Sequence, residues 1–558
     1  MAVLTRRADV FVKLPLVPLI QDPRTHMGKA PTPVSLARMR PWLERYPDHR
    51  MAALLTEGFA NGFLVPSFTG SGCTPVKNLL SVSMHSNLVL EKICKELSEG
   101  RVAGPFNDPP FSNFRLSPLG IVPKKELGAF RLIHHLSYPP HSSLNDEVAS
   151  VEAPVCYASF DEALCLLRQA GQGAVLAKAD IKSAFRLLPV HPQGFNSLGF
   201  QFLNKYYFDK CMPMGFSMSC FYFEAFSSFL HWVVSVVIPQ GLILHYLDDF
   251  LFLGPRGSSV CMEALQVFFD VCHDFGVPLA QEKTVFPTTV IEFLGITVDS
   301  ERMEFRLPQQ KIHKMKSMIA TFLVSKKVCL KEAQSLLGLF AFAARVIPMA
   351  RVFSRRFSLA IKGMVNPYAH FRISKSIKDD LRIWDAFLNE FNGSSAWQMD
   401  FINSSQLEFF TDAAGSAGFG AFLDGRWCAQ SWHPDWLQKE ILQNLVLLEL
   451  FPVIVSVVVW EDIFRNRRIL VHTDNKGVFF AINTLSSKSD PVLRLLRFLV
   501  LHCMNCNIWL RAEHIAGKEN NIADSLSRSQ FKRFRELAPS ADQHGTPCPD
   551  FLWGLIWE

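Results

Sequence analysis

The 558-residue sequence has no cysteine framework. Its 13 cysteines are scattered. The one Cys-x-x-Cys, Cys503-Met504-Asn505-Cys506, has no second pair at zinc-ligand spacing. This pattern suits reduced, partly buried thiols better than disulfides or a metal site. A secretory leader is also missing: Arg6, Arg7, Asp9 and Lys13 interrupt the first apolar residues and prolines follow, so an intracellular protein is expected. No apolar run reaches the roughly 20 residues of a membrane helix. The stretch from Leu445 to Trp460 comes nearest, but it carries Glu449 and Pro452; a buried helix whose glutamate needs a partner is expected, and no membrane contact. Charged residues are only 19% against 49% apolar, which excludes a disordered chain. A net charge of +6 suits a polyanionic partner without selecting one.

The length predicts three to four domains. Residues 1–84 form a proline- and arginine-rich region with a helical patch near Met51–Phe63. From 85 to 300, short β-rich runs alternate with helices, the mark of an α+β domain. Residues 301–403 turn helical and basic, with Lys311, Lys314 and Lys316 on one helix. A second, α/β domain is expected over 404–530, and residues 531–558 look like a tail or the start of something further. No internal repeat is visible.

Within the α+β stretch, Tyr246-Leu247-Asp248-Asp249 lies between two apolar runs, predicting a tight β-hairpin that presents two aspartates at its turn. Adjacent ionised carboxylates repel, and burying them is costly unless a cation is bound. Ala174–Asp180 reads as a buried strand ending in a third acid. Two strands delivering acids to one point would make a two-metal site for phosphoryl transfer. Taken alone, an Asp-Asp turn is a weak signal and more often a solvated hairpin.

The order of the surrounding motifs resembles a reverse transcriptase. Ser117–Lys125 with Phe130-Arg131-Leu132 is similar to the fingers motif of retrotransposon enzymes, in which a lysine and an arginine grip the incoming triphosphate. The resemblance implies that role for Arg131 and for Lys124 or Lys125, and a guanidinium fork suits phosphate oxygens in any case. Asp180-Ile181-Lys182-Ser183-Ala184-Phe185 resembles the first palm motif. It implies Asp180 as a metal ligand and Phe185 as the ring that rejects a ribose 2′-OH by clash. Met212–Ser217 resembles the next palm motif, with Gly215 opening a helix that supports template and nucleotide; Met214 stands where retroviral forms have glutamine. Gly276–Thr284 resembles the motif that carries a general acid, implying that Lys283 protonates the departing pyrophosphate. Phe293-Leu294-Gly295 resembles the primer-grip hairpin. In Ile133-His134-His135 this chain departs from many relatives, which have an acid there.

A second set of acids follows. Asp412 ends one apparent strand, Glu449 sits in the apolar helix, Asp474 ends another strand and Asp524 lies on a late helix. A glutamate on a buried helix needs a partner, and converging metal ions supply one. The set resembles ribonuclease H, and His514 with Gly517 and Asn520 resembles the mobile histidine loop of that family.

Together these resemblances imply a multidomain α+β and α/β protein: a right-hand polymerase (fingers, palm, thumb) followed by a ribonuclease H-like domain. They imply metal ligation by Asp180, Asp248 and Asp249 and by Asp412, Glu449, Asp474 and Asp524, with two Mg²⁺ at each site and Mn²⁺ as the alternative. Implied partners are an RNA template, a DNA primer, the RNA–DNA hybrid and dNTPs. Arg131–Tyr138, His514–Gly517 and Ala523–Arg528 resemble DIRS-type (tyrosine-recombinase) retrotransposon polyproteins of animals. No aspartic-protease Asp-Thr/Ser-Gly triplet, zinc knuckle, integrase or complete recombinase signature occurs. The competing reading is a domesticated or decayed copy that binds nucleic acid without catalysis.

Overall fold

A computed structural model of the chain describes residues 28–123, 128, 130–148, 155–390, 394–395, 402–403, 407–438, 441–465, 467–506, 508–515 and 520–557. Lys124, Lys125 and Gly517 lie outside them. The chain forms two compact units. One runs to Leu294 and takes in Asp299–Arg302; the other comprises Gly295–Val298 and the chain from Met303 onward.

The first unit contains helix α1 (Ser86–Ser98), strands β1 (Val102–Phe106), β2 (Leu119–Pro123) and β3 (Phe130–His134), helix α2 (Phe160–Ala170) and strand β4 (Val175–Asp180). Strands β5 (Gly199–Phe202) and β6 (Lys205–Asp209), helix α3 (Ser217–Val237), strands β7 (Leu242–Tyr246) and β8 (Asp249–Gly254), helix α4 (Val260–Phe275) and strand β9 (Val285–Thr288) follow. Its main sheet has the order β7-β8-β4-β9 and is antiparallel at the β7–β8, β8–β4 and β4–β9 pairings. Ala177 and Ala179 of β4 are fully buried, and Phe250 and Phe252 of β8 pack in the same core as Phe223, Phe226 and Phe229 of α3. Small residues on the central strand make room for these rings. A Ser159/Glu162 capping box starts α2, satisfying two otherwise orphaned backbone N–H groups.

Val34, Met39, Leu55, Phe59 and Phe63 belong to that core, so helices Leu36–Leu43 and His49–Asn61 buttress the palm sheet. By length and composition α3 is the one helix among the described residues able to cross a membrane; here its phenylalanines fill the core. The β2–β3 hairpin and the β1-β6-β5 sheet surround a smaller core of Val89, Ile93, Leu119, Ile121 and Phe200.

The second unit begins with helices α5 (Gln309–Val324), α6 (Leu330–Ala343) and α7 (Lys375–Glu390). Trp384 of α7 stacks on Phe340 of α6 at 4.2 Å. The α/β part consists of an antiparallel meander, β10 (Phe409–Ala414), β11 (Gly418–Leu423) and β12 (Arg426–Ser431), then α8 (Leu445–Val459), β13 (Arg468–Thr473), α9 (Asp490–Asn505), β14 (Trp509–His514) and α10 (Asn521–Ser527). Strands β13 and β14 are parallel. Residues 447, 448 and 450–457 of helix α8 are buried, as its apolar composition requires, while Glu449 is half-buried. The last residues are integral to this unit: Phe534 packs with Phe422 and Leu526, and Trp553 is buried against Trp436 and Phe451.

Candidate active sites

The hairpin forms as the sequence predicts. Tyr246 pairs with Asp249, leaving Leu247 and Asp248 as the two-residue turn. Asp249 also lies directly across from Asp180 on β4, so both side chains fall on one face of the sheet. The Ile181 N–H donates to the Asp248 carbonyl at 3.0 Å, and the Ala280 N–H donates to the Asp180 carbonyl at 2.8 Å. These bonds hold the three acids at one sheet edge.

Lys283 Nζ stands 3.0 Å from both carboxylate oxygens of Asp180, and Lys178 Nζ is 3.7 Å from Asp249. Burial pushes Asp180 up to about 6 and its neighbours Asp248 and Asp249 push the same way, while the bond from Lys283 opposes them. Asp248 is also raised, first by burial and then by Asp249; Lys283 and Arg131 act against this. Arg131, exposed on β3, therefore lies within the field of the acids. Burial would lower Lys283, but its bond to Asp180 raises it; in this arrangement it is the counter-ion of that acid.

Gly215 has φ +125°, and a Cβ there would stand 1.9 Å from the His134 carbonyl oxygen, so no other residue fits. The Gly215 carbonyl accepts from Asn145 Nδ2 at 2.8 Å, and Asn145 Oδ1 accepts from the Ser217 N–H at 2.9 Å. Phe185 packs edge-to-face on Phe223 at 5.8 Å and remains half-buried.

Sequence reasoning missed a buried ionic chain behind this site. His134 Nδ1 is 2.9 Å from Asp209 Oδ2, Arg186 Nη1 is 2.8 Å from Asp209 Oδ1, and Arg186 Nη2 is 2.9 Å from Glu96. It fastens the residue after Phe185 to β3, β6 and α1. No local signal marks it, since Glu96 stands beside Lys95 and Asp209 beside Lys210. His134, a departure from the family pattern, has its own role here.

In the second unit the other acids converge. Asp412 is on β10, Glu449 on α8, Asp474 just past β13 and Asp524 on α10. Burial pushes Glu449 up to about 8, and Asp412 and Asp474 add to the shift; the Ala413 N–H is the group that opposes it. Asp412 is raised by burial and by Asp524 and Asp474, against a hydrogen bond from Ser527. Asp524 pairs with Arg528 at 2.6 Å and Arg533 at 3.2 Å. His514 Nε2 donates to the Asp474 carbonyl at 3.1 Å, and Asn520 Nδ2 donates to the Thr411 carbonyl at 2.7 Å. At Gly420 a Cβ would meet Ser527 N at 2.6 Å, so glycine lets α10 approach the sheet. Ser527, Arg528 and Arg533 were not singled out as site residues, although the first two stand in the Ala523–Arg528 segment.

Both acid sets are all-oxygen donor groups suited to hard divalent cations, and burial is the first cause of the raised carboxyls of Asp180, Asp248, Asp412 and Glu449. Among the described residues, Glu461, His502 and Cys506 are the group whose ligand atoms come within 4.8 Å of one another. There Arg465 already pairs with Glu461 and lies 3.8 Å from Cys506 Sγ.

Residues 122–298 match the family model described as reverse transcriptase (RNA-dependent DNA polymerase). The Gag-Pro-Pol polyprotein of human T-cell leukemia virus 3 is 26% identical over 271 residues, covering 47% of this chain and 17% of that polyprotein. Protein P of ground squirrel hepatitis virus is 28% identical over 134 residues, covering 24% of this chain and 15% of that protein. The chain thus spans less than a fifth of the length of these relatives. Among solved structures, foamy viral protease-reverse transcriptase in complex with an RNA/DNA hybrid aligns with a TM-score of 0.47 at 14% identity, covering 91% of this chain and 65% of that one. The dRH form in complex with double-stranded DNA gives 0.46 at 14% identity, covering 90% and 84%. The segment that resembles the reverse transcriptase family carries Arg131, Asp180, Gly215, Asp248, Asp249 and Lys283.

Proposed function

We propose that the chain is an RNA-directed DNA polymerase with a ribonuclease H activity on the same polypeptide, and that it derives from a DIRS-type retroelement. The observation that carries the polymerase reading is the cross-strand placement of Asp180 and Asp249, with Asp248 at the turn between β7 and β8, inside a segment that matches the reverse transcriptase family. Asp180, Asp248 and Asp249 would hold two Mg²⁺, with Mn²⁺ as a substitute, and such ions stabilise attacking and leaving oxygens in phosphoryl transfer. Arg131 binds the triphosphate of the incoming dNTP. Phe185 lies under the sugar and excludes a 2′-OH. Lys283, released from Asp180 once that acid is otherwise neutralised, gives its proton to the departing pyrophosphate oxygen. The template is RNA and the primer DNA, gripped through backbone contacts, so binding weakens with salt.

The ribonuclease reading rests on the mutual influence of Asp412, Glu449, Asp474 and Asp524. The same kind of ion pair would serve them. His514, held by the Asp474 carbonyl, moves a proton or helps product leave. The RNA strand of an RNA–DNA hybrid is the substrate, which fits a polymerase whose copied strand must be removed. The DIRS-type origin rests on the resemblance of Arg131–Tyr138, His514–Gly517 and Ala523–Arg528. Extension of a DNA primer on an RNA template in Mg²⁺ tests the first activity, with Asp248→Asn as control. Cleavage of labelled hybrid tests the second, with Asp474→Asn. Wild-type protein that binds hybrid but neither extends nor cleaves would instead be a non-catalytic nucleic-acid-binding protein.

A further inference from the structure

The turn that presents Asp248 is made by an ill-suited residue. Leu247 has φ +53°, a region that branched side chains avoid and that two-residue hairpin turns usually fill with Asn or Gly. Such a conformation persists only where the surroundings over-determine it. Here the constraint comes from below, out of the phenylalanine core. Glu224 on α3 is 6% exposed, and its Oε2 accepts from the Leu247 N–H at 3.3 Å. Its Oε1 is 3.2 Å from His245 Nε2. His245, on β7 and 7% exposed, lies with Nδ1 2.8 Å from His231 Nδ1 and with Nε2 3.5 Å from Ser228 Oγ.

Glu224, Ser228 and His231 are spaced i, i+4, i+7, so one stripe of α3 faces β7. One proton arrangement needs no extra charge: His245 Nδ1 accepts from His231 Nδ1–H, and His245 Nε2–H lies against Ser228 Oγ, with Glu224 Oε1 3.2 Å away but not in hydrogen-bond geometry. Buried polar groups in an aromatic core are costly, and this seam ends on the backbone N–H of Leu247 in the turn that presents Asp248.

We propose that Glu224 is a positioning residue of the polymerase site: its carboxylate oxygen locks the Leu247 turn and so sets Asp248 and Asp249 against Asp180. What the turn requires is an acceptor and not a charge. Glutamine meets that need, because its amide oxygen can accept from Leu247. Leucine or alanine cannot. The inference rests on the polymerase reading for its catalytic consequence, but the metal-holding geometry can be measured separately.

The test uses the full chain with Glu224→Gln, Glu224→Leu and Glu224→Ala, the alanine variant covering a leucine that overpacks. Mn²⁺ binding is followed by electron paramagnetic resonance, and the fraction lost in Asp248→Asn is assigned to this site. Single-nucleotide incorporation is resolved into kcat and KM for template-primer. Glu224→Leu or Glu224→Ala should weaken the Asp248-dependent Mn²⁺ binding and lower kcat by about ten- to a hundredfold. KM for template-primer and the Mn²⁺ fraction that depends on Asp474 should stay as in wild type. Glu224→Gln should remain within about twofold of wild type on every readout, since its acceptor is retained. Leu247→Gly, which tolerates positive φ without help, should restore part of what Glu224→Ala loses. The proposal is overturned if the leucine and alanine variants bind Mn²⁺ at this site as wild type does, or if Glu224→Gln falls as far as they do. If wild type binds Mn²⁺ here but extends no primer, the polymerase reading fails while the metal arm still decides the role of Glu224.

Discussion

The two acid sites solve the same electrostatic problem in different ways. In the first unit, cations of the chain itself stand among the acids: Lys283 on Asp180, Lys178 near Asp249 and, acting through its field on Asp248, Arg131. Asp180 is accordingly raised only to about 6. In the second unit the positive charge sits on Asp524, which Arg528 and Arg533 grip, while Glu449 on its apolar helix has a backbone N–H for relief and reaches about 8. A site with its own counter-ions can stay ionised before ligand arrives. A site built around Glu449 depends more on cations brought from outside.

The largest expected effect breaks the comparison into independent halves. Asp248→Asn should lower primer extension on the order of a thousandfold or more and leave hybrid cleavage near wild type; Asp474→Asn should do the reverse. Paired assays on one preparation of each variant decide the matter. Loss of both activities in either variant would mean that the two sites are not separate machines.

A third buried acid shows what a purely structural carboxylate looks like. Asp380 on α7 is 1% exposed, 2.5 Å from Arg497 of α9 and 3.7 Å from Arg356. Guanidinium groups, not metals, neutralise it. Asp380→Ala leaves Arg497 buried without its partner, which should cost about 3–5 kcal/mol. Urea unfolding should register that loss at pH 7 with no dependence on Mg²⁺. A Mg²⁺-dependent loss would place Asp380 with the catalytic acids instead.

Next in size is Lys283. Lys283→Ala removes both the proton donor and the counter-ion of Asp180, so kcat should fall about a hundredfold and the alkaline limb of the rate profile should disappear. Lys283→Arg keeps the charge but gives up its proton poorly. It should show the same loss in kcat with an unchanged Mg²⁺ requirement. An Mg²⁺ requirement that falls in Lys283→Ala, where no lysine competes for Asp180, and stays constant in Lys283→Arg would separate the counter-ion role from the acid role.

These sites were legible to different depths. The Asp248-Asp249 hairpin, the strand ending in Asp180 and the misfit Glu449 all announce themselves locally, because an acid interrupts an apolar run of the right period. Gly215 was legible as a turn, but its approach to the His134 carbonyl depends on a strand some 80 residues away. The ionic chain Glu96–Arg186–Asp209–His134 was not legible because it pairs charges from elements distant in sequence, and the seam from Glu224 to His231 was not legible because it depends on which face of α3 packs on β7. The residues after 530 looked like a tail because no short-range pattern shows that Trp553 fills the hole between Trp436 and Phe451. Local pattern reveals where chemistry sits, whereas long-range pairing decides what holds it still.

The smallest expected effect is a pH dependence that separates the two sites without any assay of activity. Glu449 moves from an ordinary 4.5 to about 8. Between those values the folded chain keeps a proton that the unfolded chain has lost, so stability falls as pH rises through that window. Asp180, raised from 3.8 to about 6, acts with the same sign over a lower range. In EDTA the thermal unfolding midpoint should therefore decline from about pH 5 to about pH 8. Mg²⁺ binds the ionised carboxylates, so it should raise the midpoint, and more at the alkaline end than at the acid end. Glu449→Gln should flatten the upper part of the curve, and Asp180→Asn the lower part only. If Glu449→Gln leaves the upper limb unchanged, the buried glutamate has a cationic partner within the chain, and the contrast between the two sites disappears.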